Sequence, residues 1–133
     1  MTVYVAQQPS VNKNGFTPDL SSASEYGELK FVFDASDKVY SIPNPSYQKA
    51  CRSLKNFNPE TDYVLFAPNS DPASWFAVAL ILGAMNLESV TMLYWNRKRD
   101  EHGVRDGKTG FYFPCKFNLK QFIHSLTEKG TSE

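Results

Sequence analysis

The hydrophobic positions fall into short clusters separated by turn-forming residues, and the spacing within each cluster predicts an element. Val3, Tyr4 and Val5 predict a strand over 2–6. The stretch QQPSVNKNGFTPD that follows is a loop. LSSASEYGE predicts one helical turn, with Ser21 or Ser22 as cap, Glu25 as the reciprocal member of a capping box, and Gly27 as the stop. Residues 28–34 alternate, with Leu29, Phe31 and Phe33 on one side and Lys30, Val32 and Asp34 on the other, which predicts a strand. Tyr47, Ala50, Cys51 and Leu54 share one face of a helix over 44–57, capped by Asn44 and opened by Pro45. Cys51 then belongs to the core.

YVLFA, at 63–67, is a short continuous apolar run and predicts a strand buried on both faces. Asp71 caps and Pro72 opens a helix to about Met85 that is apolar nearly all round, so it is expected to be buried. SVTMLYW, at 89–95, is a further buried strand. Residues 96–110 are polar, with a tight hairpin turn expected at Asp106-Gly107. Residues 111–117 return as an edge strand, since Pro114 cannot donate to a ladder. Asn118 and Gln121 form a capping box for a last helix with Leu119, Phe122, Ile123 and Leu126 on one face; 129–133 is a frayed tail. The order of elements predicts a single α/β domain over 1–133. It is a small three-layer α/β sandwich with central parallel strands, right-handed crossovers and an antiparallel C-terminal hairpin edge.

Composition narrows the function. The chain has 133 residues, 14% of them aromatic, and a formal net charge of +0, so it has no global attraction for DNA or an anionic membrane. The charge is uneven: residues 1–90 hold 6 basic against 9 acidic side chains, or −3, which leaves +3 on residues 91–133. The excess gathers at Arg97, Lys98, Arg99, Arg105 and Lys108. The longest apolar run, Trp75 to Met85, is too short to span a bilayer, and MTVYVAQQPS lacks the pattern of a leader. A cytoplasmic protein with no membrane contact is expected. His102, His124, Cys51 and Cys115 have no partners at metal-ligand spacing, so neither metal nor cofactor is expected.

Three stretches could carry function. In the 66–74 loop, Asn69, Ser70, Asp71 and Ser74 precede a helix whose N–H groups could hold an anion; a cap at Asp71 accounts for the same residues. In 94–113, Tyr94, Trp95, Phe111, Tyr112 and Phe113 interleave with Arg97, Lys98, Arg99, Arg105 and Lys108. That combination suits a protein-binding surface, or stacking on single-stranded nucleic acid, although no RRM or KH signature accompanies it. Glu25, Tyr26 and Glu28 could serve acid–base chemistry, or simply end a helix. Lys49, Arg52 and Lys55 line one helix face and read as a solvated stripe.

At DLSSASEYGE, YVLFAPNSDPASWFAVAL and SVTMLYWNRKR the chain resembles a family of small proteins of unassigned function encoded by tailed bacteriophages. Asp19, Leu20, Ser21, Ala23, Tyr26, Gly27 and Glu28 match its first element. Asp71 and Pro72 match a Gly-Asp-Pro element, and Trp95 and Arg97 a Trp-Asp-Arg element. Leu93 matches in part the Leu that precedes it, and Phe113-Pro114 falls at a Tyr-x-Pro strand. Ser70 and Asn96 depart from the pattern, and 100–110 is longer than the family's hairpin. The resemblance implies a phage origin and no particular activity. The leading expectation is a non-enzymatic phage accessory protein that binds a host or phage protein in the host cytoplasm through 94–113. A nucleotide or small-molecule site at 66–74, and nucleic-acid binding by 94–113, stand as alternatives.

Overall fold

A computed structural model of the chain describes residues 1–11, 15, 19–38, 46–99 and 105–131. Strands β1 (Thr2–Gln7), β2 (Glu28–Phe33), β3 (Tyr63–Leu65), β4 (Ser89–Arg99) and β5 (Arg105–Asn118) form one sheet in the order β2-β1-β3-β4-β5. The first four are parallel, and β5 runs antiparallel to β4 at the edge. The α/β fold with an antiparallel C-terminal hairpin is as expected. The central place of β1 comes from pairing with β2 on one side and β3 on the other.

Helices α1 (Ser46–Leu54) and α2 (Pro72–Ala84) lie on one face, and a 3-10 helix (Ser21–Tyr26) lies on the other. This follows from the right-handed rule. The β1-to-β2 crossover moves one way across the sheet, while β2-to-β3 and β3-to-β4 move the other way, so their connections fall on opposite faces. On the α1/α2 face Tyr4, Ala6 and Val64 pack with Phe33, Leu54, Phe57, Val78 and Leu82. On the opposite face Val3, Val5, Leu65 and Leu93 pack with Leu20 and Ala23 of the 3-10 helix.

Buried polar groups stitch this part together. Asp62 accepts from the Thr2 N–H at 2.9 Å and the Asn58 N–H at 2.9 Å, tying the start of β1 to the turn before β3. Gly27, at φ +150, passes so close to the start of β1 that a Cβ there would lie 2.6 Å from the Met1 carbonyl oxygen. Only glycine fits both constraints.

Several expectations change. The 3-10 helix is not closed by a serine–glutamate box. Leu20 occupies the cap position without a side-chain bond, and Asp19 accepts from the Ser21 N–H at 2.9 Å. That bond holds the Asp19 carboxyl below its usual range. Asn44 and Pro45 lie outside the described residues, as does His102. Cys51 is exposed, at an open cavity of about 480 Å³ between α1 and α2 lined also by Lys55, Ile81, Ala84 and Met85. Helix α2 is not buried all round: Ser74, Val78 and Leu82 face the sheet, while Phe76 is 68% and Leu80 59% exposed. Among the described residues nothing covers the outer apolar side of α2 at Phe76 and Leu80. Asp106-Gly107, where a turn was expected, lies inside β5, and residues 100–104 are outside the described residues. Helix α3 (Leu119–Thr131) starts at the expected Asn118 cap, whose Oδ1 accepts from the Gln121 N–H at 2.8 Å, and continues into the expected tail.

Candidate protein-binding surface

The β4–β5 hairpin outruns the rest of the sheet. β3 pairs with β4 only at Val64↔Met92 and Leu65↔Leu93, whereas the β4–β5 ladder continues through Tyr94↔Phe113, Trp95↔Tyr112, Asn96↔Phe111 and Arg97↔Gly110 to Arg99↔Arg105. Beyond Leu93 the hairpin is a two-stranded ribbon with a register shift between Arg97 and Arg99. The backbone thus sets Arg97, Lys98 and Arg99 along one strand and Arg105 and Lys108 along the other. Arg99 is the ladder partner of Arg105.

Strand alternation sorts the aromatics. Tyr94, Phe111, Phe113 and Phe117 share the α1/α2 side of the sheet and are 52%, 44%, 36% and 47% exposed. Tyr94 and Phe113 pair at 5.7 Å between ring centres, and Phe111 and Phe113 at 6.3 Å. Trp95 points to the other side. It is half-buried, its ring 4.9 Å from that of Tyr112, and it packs on the core beneath the 3-10 helix. Tyr94 and Trp95, grouped together from the sequence, therefore belong to opposite faces. The period-2 alternation of a strand already carried that signal.

The opposite side of the ribbon is a brace. The Tyr26 hydroxyl donates to the Tyr112 carbonyl at 2.9 Å, and Tyr26 packs edge-on against Tyr63 at 5.3 Å. Burial, with the Asp19 carboxylate nearby, pushes the Tyr112 hydroxyl up to about 12. Gly110 sits beneath Trp95; a Cβ there would fall 2.6 Å from Trp95 Cζ2. Tyr26 and Gly27 of the phage-like element thus hold the 3-10 helix against both β1 and the hairpin.

The 66–74 loop lies at the carboxyl ends of β1 and β3, where strand order reverses and doubly wound folds bind ligands. Asn69, Ser70, Asp71 and Ser74 come together there, Asn69 at φ 58. The Ser70 hydroxyl donates to the Ala67 carbonyl at 2.6 Å and accepts from Trp75 Nε1 at 2.8 Å. Asp71 Oδ1 accepts from the Ala73 N–H at 3.0 Å, and the Asp71 carbonyl accepts from the Ser74 N–H at 2.9 Å and the Ser74 hydroxyl at 2.7 Å. Gln7, missed from the sequence and 3% exposed, spans the crevice. Its Nε2 donates to the carbonyls of Asp34 and Asp37 at 3.0 and 3.1 Å, and its Oε1 accepts from the Asp71 N–H at 2.7 Å. A lone glutamine at a strand end carries no motif that announces such a role.

Among the described residues no cluster of three His, Cys, Asp or Glu side chains could hold a metal, and no helix is long and apolar enough to cross a membrane. On the helical face Lys49 pairs with Asp34 at 2.8 Å in solvent.

Sheet, crossovers and hairpin define a small α/β protein whose exposed aromatic surface lies at one edge. The chain belongs to the Phage Pam3 gp32-like protein family, whose family model matches residues 1–103. The phage resemblance read from the 3-10 element, the Asp-Pro cap and Trp95-Asn96-Arg97 is therefore borne out. No curated protein and no solved structure matches the chain.

Proposed function

We propose that this protein is a non-enzymatic phage accessory factor that binds a host or phage protein in the host cytoplasm through the β4–β5 ribbon. One observation carries the reading: a two-stranded ribbon leaves the sheet with Arg99 placed opposite Arg105 and with Arg97, Lys98 and Lys108 along the same strands. A run of basic residues on a projecting ribbon is complementary in charge to an acidic partner. The ribbon edge of β4 beyond Leu93, which β3 does not reach, offers backbone groups for strand addition. Trp95 serves this surface from behind, by bracing the ribbon on Tyr112.

A nucleotide or small-molecule site at 66–74 is a second reading, favoured by its position at the strand-order reversal. Against it, Gln7, Asp71 and Ser70 already engage the polar groups such a ligand would use.

The test is replacement of Arg97, Lys98 and Arg99 together by Ser. The fold should be retained, because this end of the ribbon lies beyond the strands that carry the core. Binding to a partner captured from infected-cell lysate should weaken by about 2 kcal/mol or more if these residues are hot spots. Unchanged affinity sinks the proposal. A steep loss of parent binding with salt identifies the partner as nucleic acid, and a thermal shift with millimolar nucleotide moves the site to 66–74.

A further inference from the structure

Helix α3 presents a second unpartnered apolar surface, and its geometry says what covers it. Phe122 is 65% and Leu126 59% exposed, four residues apart and so on one side of the helix. The sheet face formed by Tyr94, Phe111, Phe113 and Phe117 is exposed as well. A helix stripe and a sheet face are the usual partners in an α/β protein, yet here only Leu119 of α3 packs on the core, and among the described residues Phe122 and Leu126 are exposed while the sheet face is too.

The reason lies at the corner between β5 and α3. The strand ends at Asn118 and the helix begins at Leu119, with no connecting residue. The corner is fastened: the Leu119 and Lys120 N–H groups donate to the Glu88 carbonyl at 3.0 and 3.4 Å, and the Asn118 side chain caps the helix. Reversing a helix onto its own sheet ordinarily takes a loop of about 2–6 residues. With none, α3 meets the sheet at Leu119 and leaves Phe122 and Leu126 exposed.

We propose that a second copy of the chain covers this surface, α3 of each copy lying across the Tyr94–Phe113–Phe117 face of the other in a two-fold dimer. Such an arrangement is isologous, so each chain supplies one helix stripe and one sheet face, and both are satisfied at once. The area is adequate. Aromatic side chains present roughly 200 Å² each, so the exposed fractions of these six residues amount to about 600 Å² of apolar surface per chain. A standard interface buries about 800 Å² per partner, polar rim included. That is also at the top of what a monomer normally leaves bare. The proposal is independent of the ribbon reading, because Arg97–Arg99 and Arg105 lie at the far end of the hairpin from Phe117 and α3.

The experiment is sedimentation equilibrium on the full chain and on F113D and F122K. The parent should be a dimer at micromolar concentration. Each variant alone should dissociate at least about tenfold more readily, as expected for anchors at an interface centre. Circular dichroism should be unchanged, since both positions are exposed. The two variants mixed should dimerise again. In that heterodimer one helix-on-sheet contact is native, and the other sets the lysine introduced by F122K against the aspartate introduced by F113D. A monomeric parent overturns the proposal, and so do variants that remain dimeric. A mixture that stays monomeric overturns it too, because helix must meet sheet for the charges to complement. Partner capture by the ribbon is read separately and moves none of these outcomes.

Discussion

Val3, Val5, Val64 and Leu65, in the parallel part of the sheet, are sealed between helices on both sides, whereas Tyr94, Phe111, Phe113 and Phe117 in the hairpin stand open on one. The two stretches are comparably apolar in sequence. They differ in what the chain lays over them. Each parallel crossover carries a helical segment that lands on the sheet. The hairpin has none on that side, and the helix that follows it leaves from a corner without a loop. Polar groups follow the same division: Gln7 and Asp62 are buried and bonded in the parallel part. A hydrophobic run therefore says that a segment is compatible with burial, and topology decides whether burial happens.

Substitutions can break this comparison. The largest effect should come from Leu65→Ala or Leu54→Ala, both fully buried, at about 2–5 kcal/mol by denaturant unfolding. Gln7→Ala comes next. It removes three hydrogen bonds and takes from the Asp71 N–H its glutamine acceptor, while the Asp34 carbonyl keeps the Asp37 N–H at 3.0 Å, so a loss of about 1–3 kcal/mol is expected. Alkaline stability should resolve the brace behind the ribbon. The Tyr112 pKa is raised in the folded chain to about 12 from 10.0, so folding binds the proton more tightly. Its contribution is complete below pH 10 and is lost as pH rises toward 12. Tyr112→Phe should flatten the unfolding midpoint over that window; an unchanged profile would place the ring in solvent. Smallest of all, Leu80→Ala on the outer side of α2 should change stability by within about 0.5 kcal/mol. A value approaching that of Leu65→Ala would erase the distinction between covered and open surfaces.

The sequence was most legible where chemistry is local. Asp71-Pro72 opens α2 as read, Asn118 caps α3, and the cores of β1 to β4 fall where their apolar runs lie. It was least legible where a residue acts across the chain. Nothing near Thr2–Gln7 says that β1 will sit between β2 and β3, because that pairing is made with residues far along the chain. Cys51 sits on the apolar helical stripe and is nonetheless exposed, since helical spacing fixes a side and not its cover. The Asp106-Gly107 signal for a turn was overridden by a ladder that continues to Arg105. At the candidate surface, the basic residues were legible as a run of charge, and the backbone sets them along β4 and β5. The split of Tyr94 from Trp95 follows only once both lie on one strand.

Gly110 has a bearing on how such a chain tolerates change in length. Its missing side chain lets the Trp95 ring close over the backbone, and any residue with a Cβ brought to that point would collide with the indole. Slipping β5 along β4 by a residue would do just that, replacing Gly110 with Thr109 or Phe111. The pairing is thereby indexed from below, like a ratchet tooth. Residues gained or lost between the strands alter only how far the ribbon projects, while everything from Trp95 inward keeps its partners. A change of length confined to the tip should therefore leave the body that carries it undisturbed.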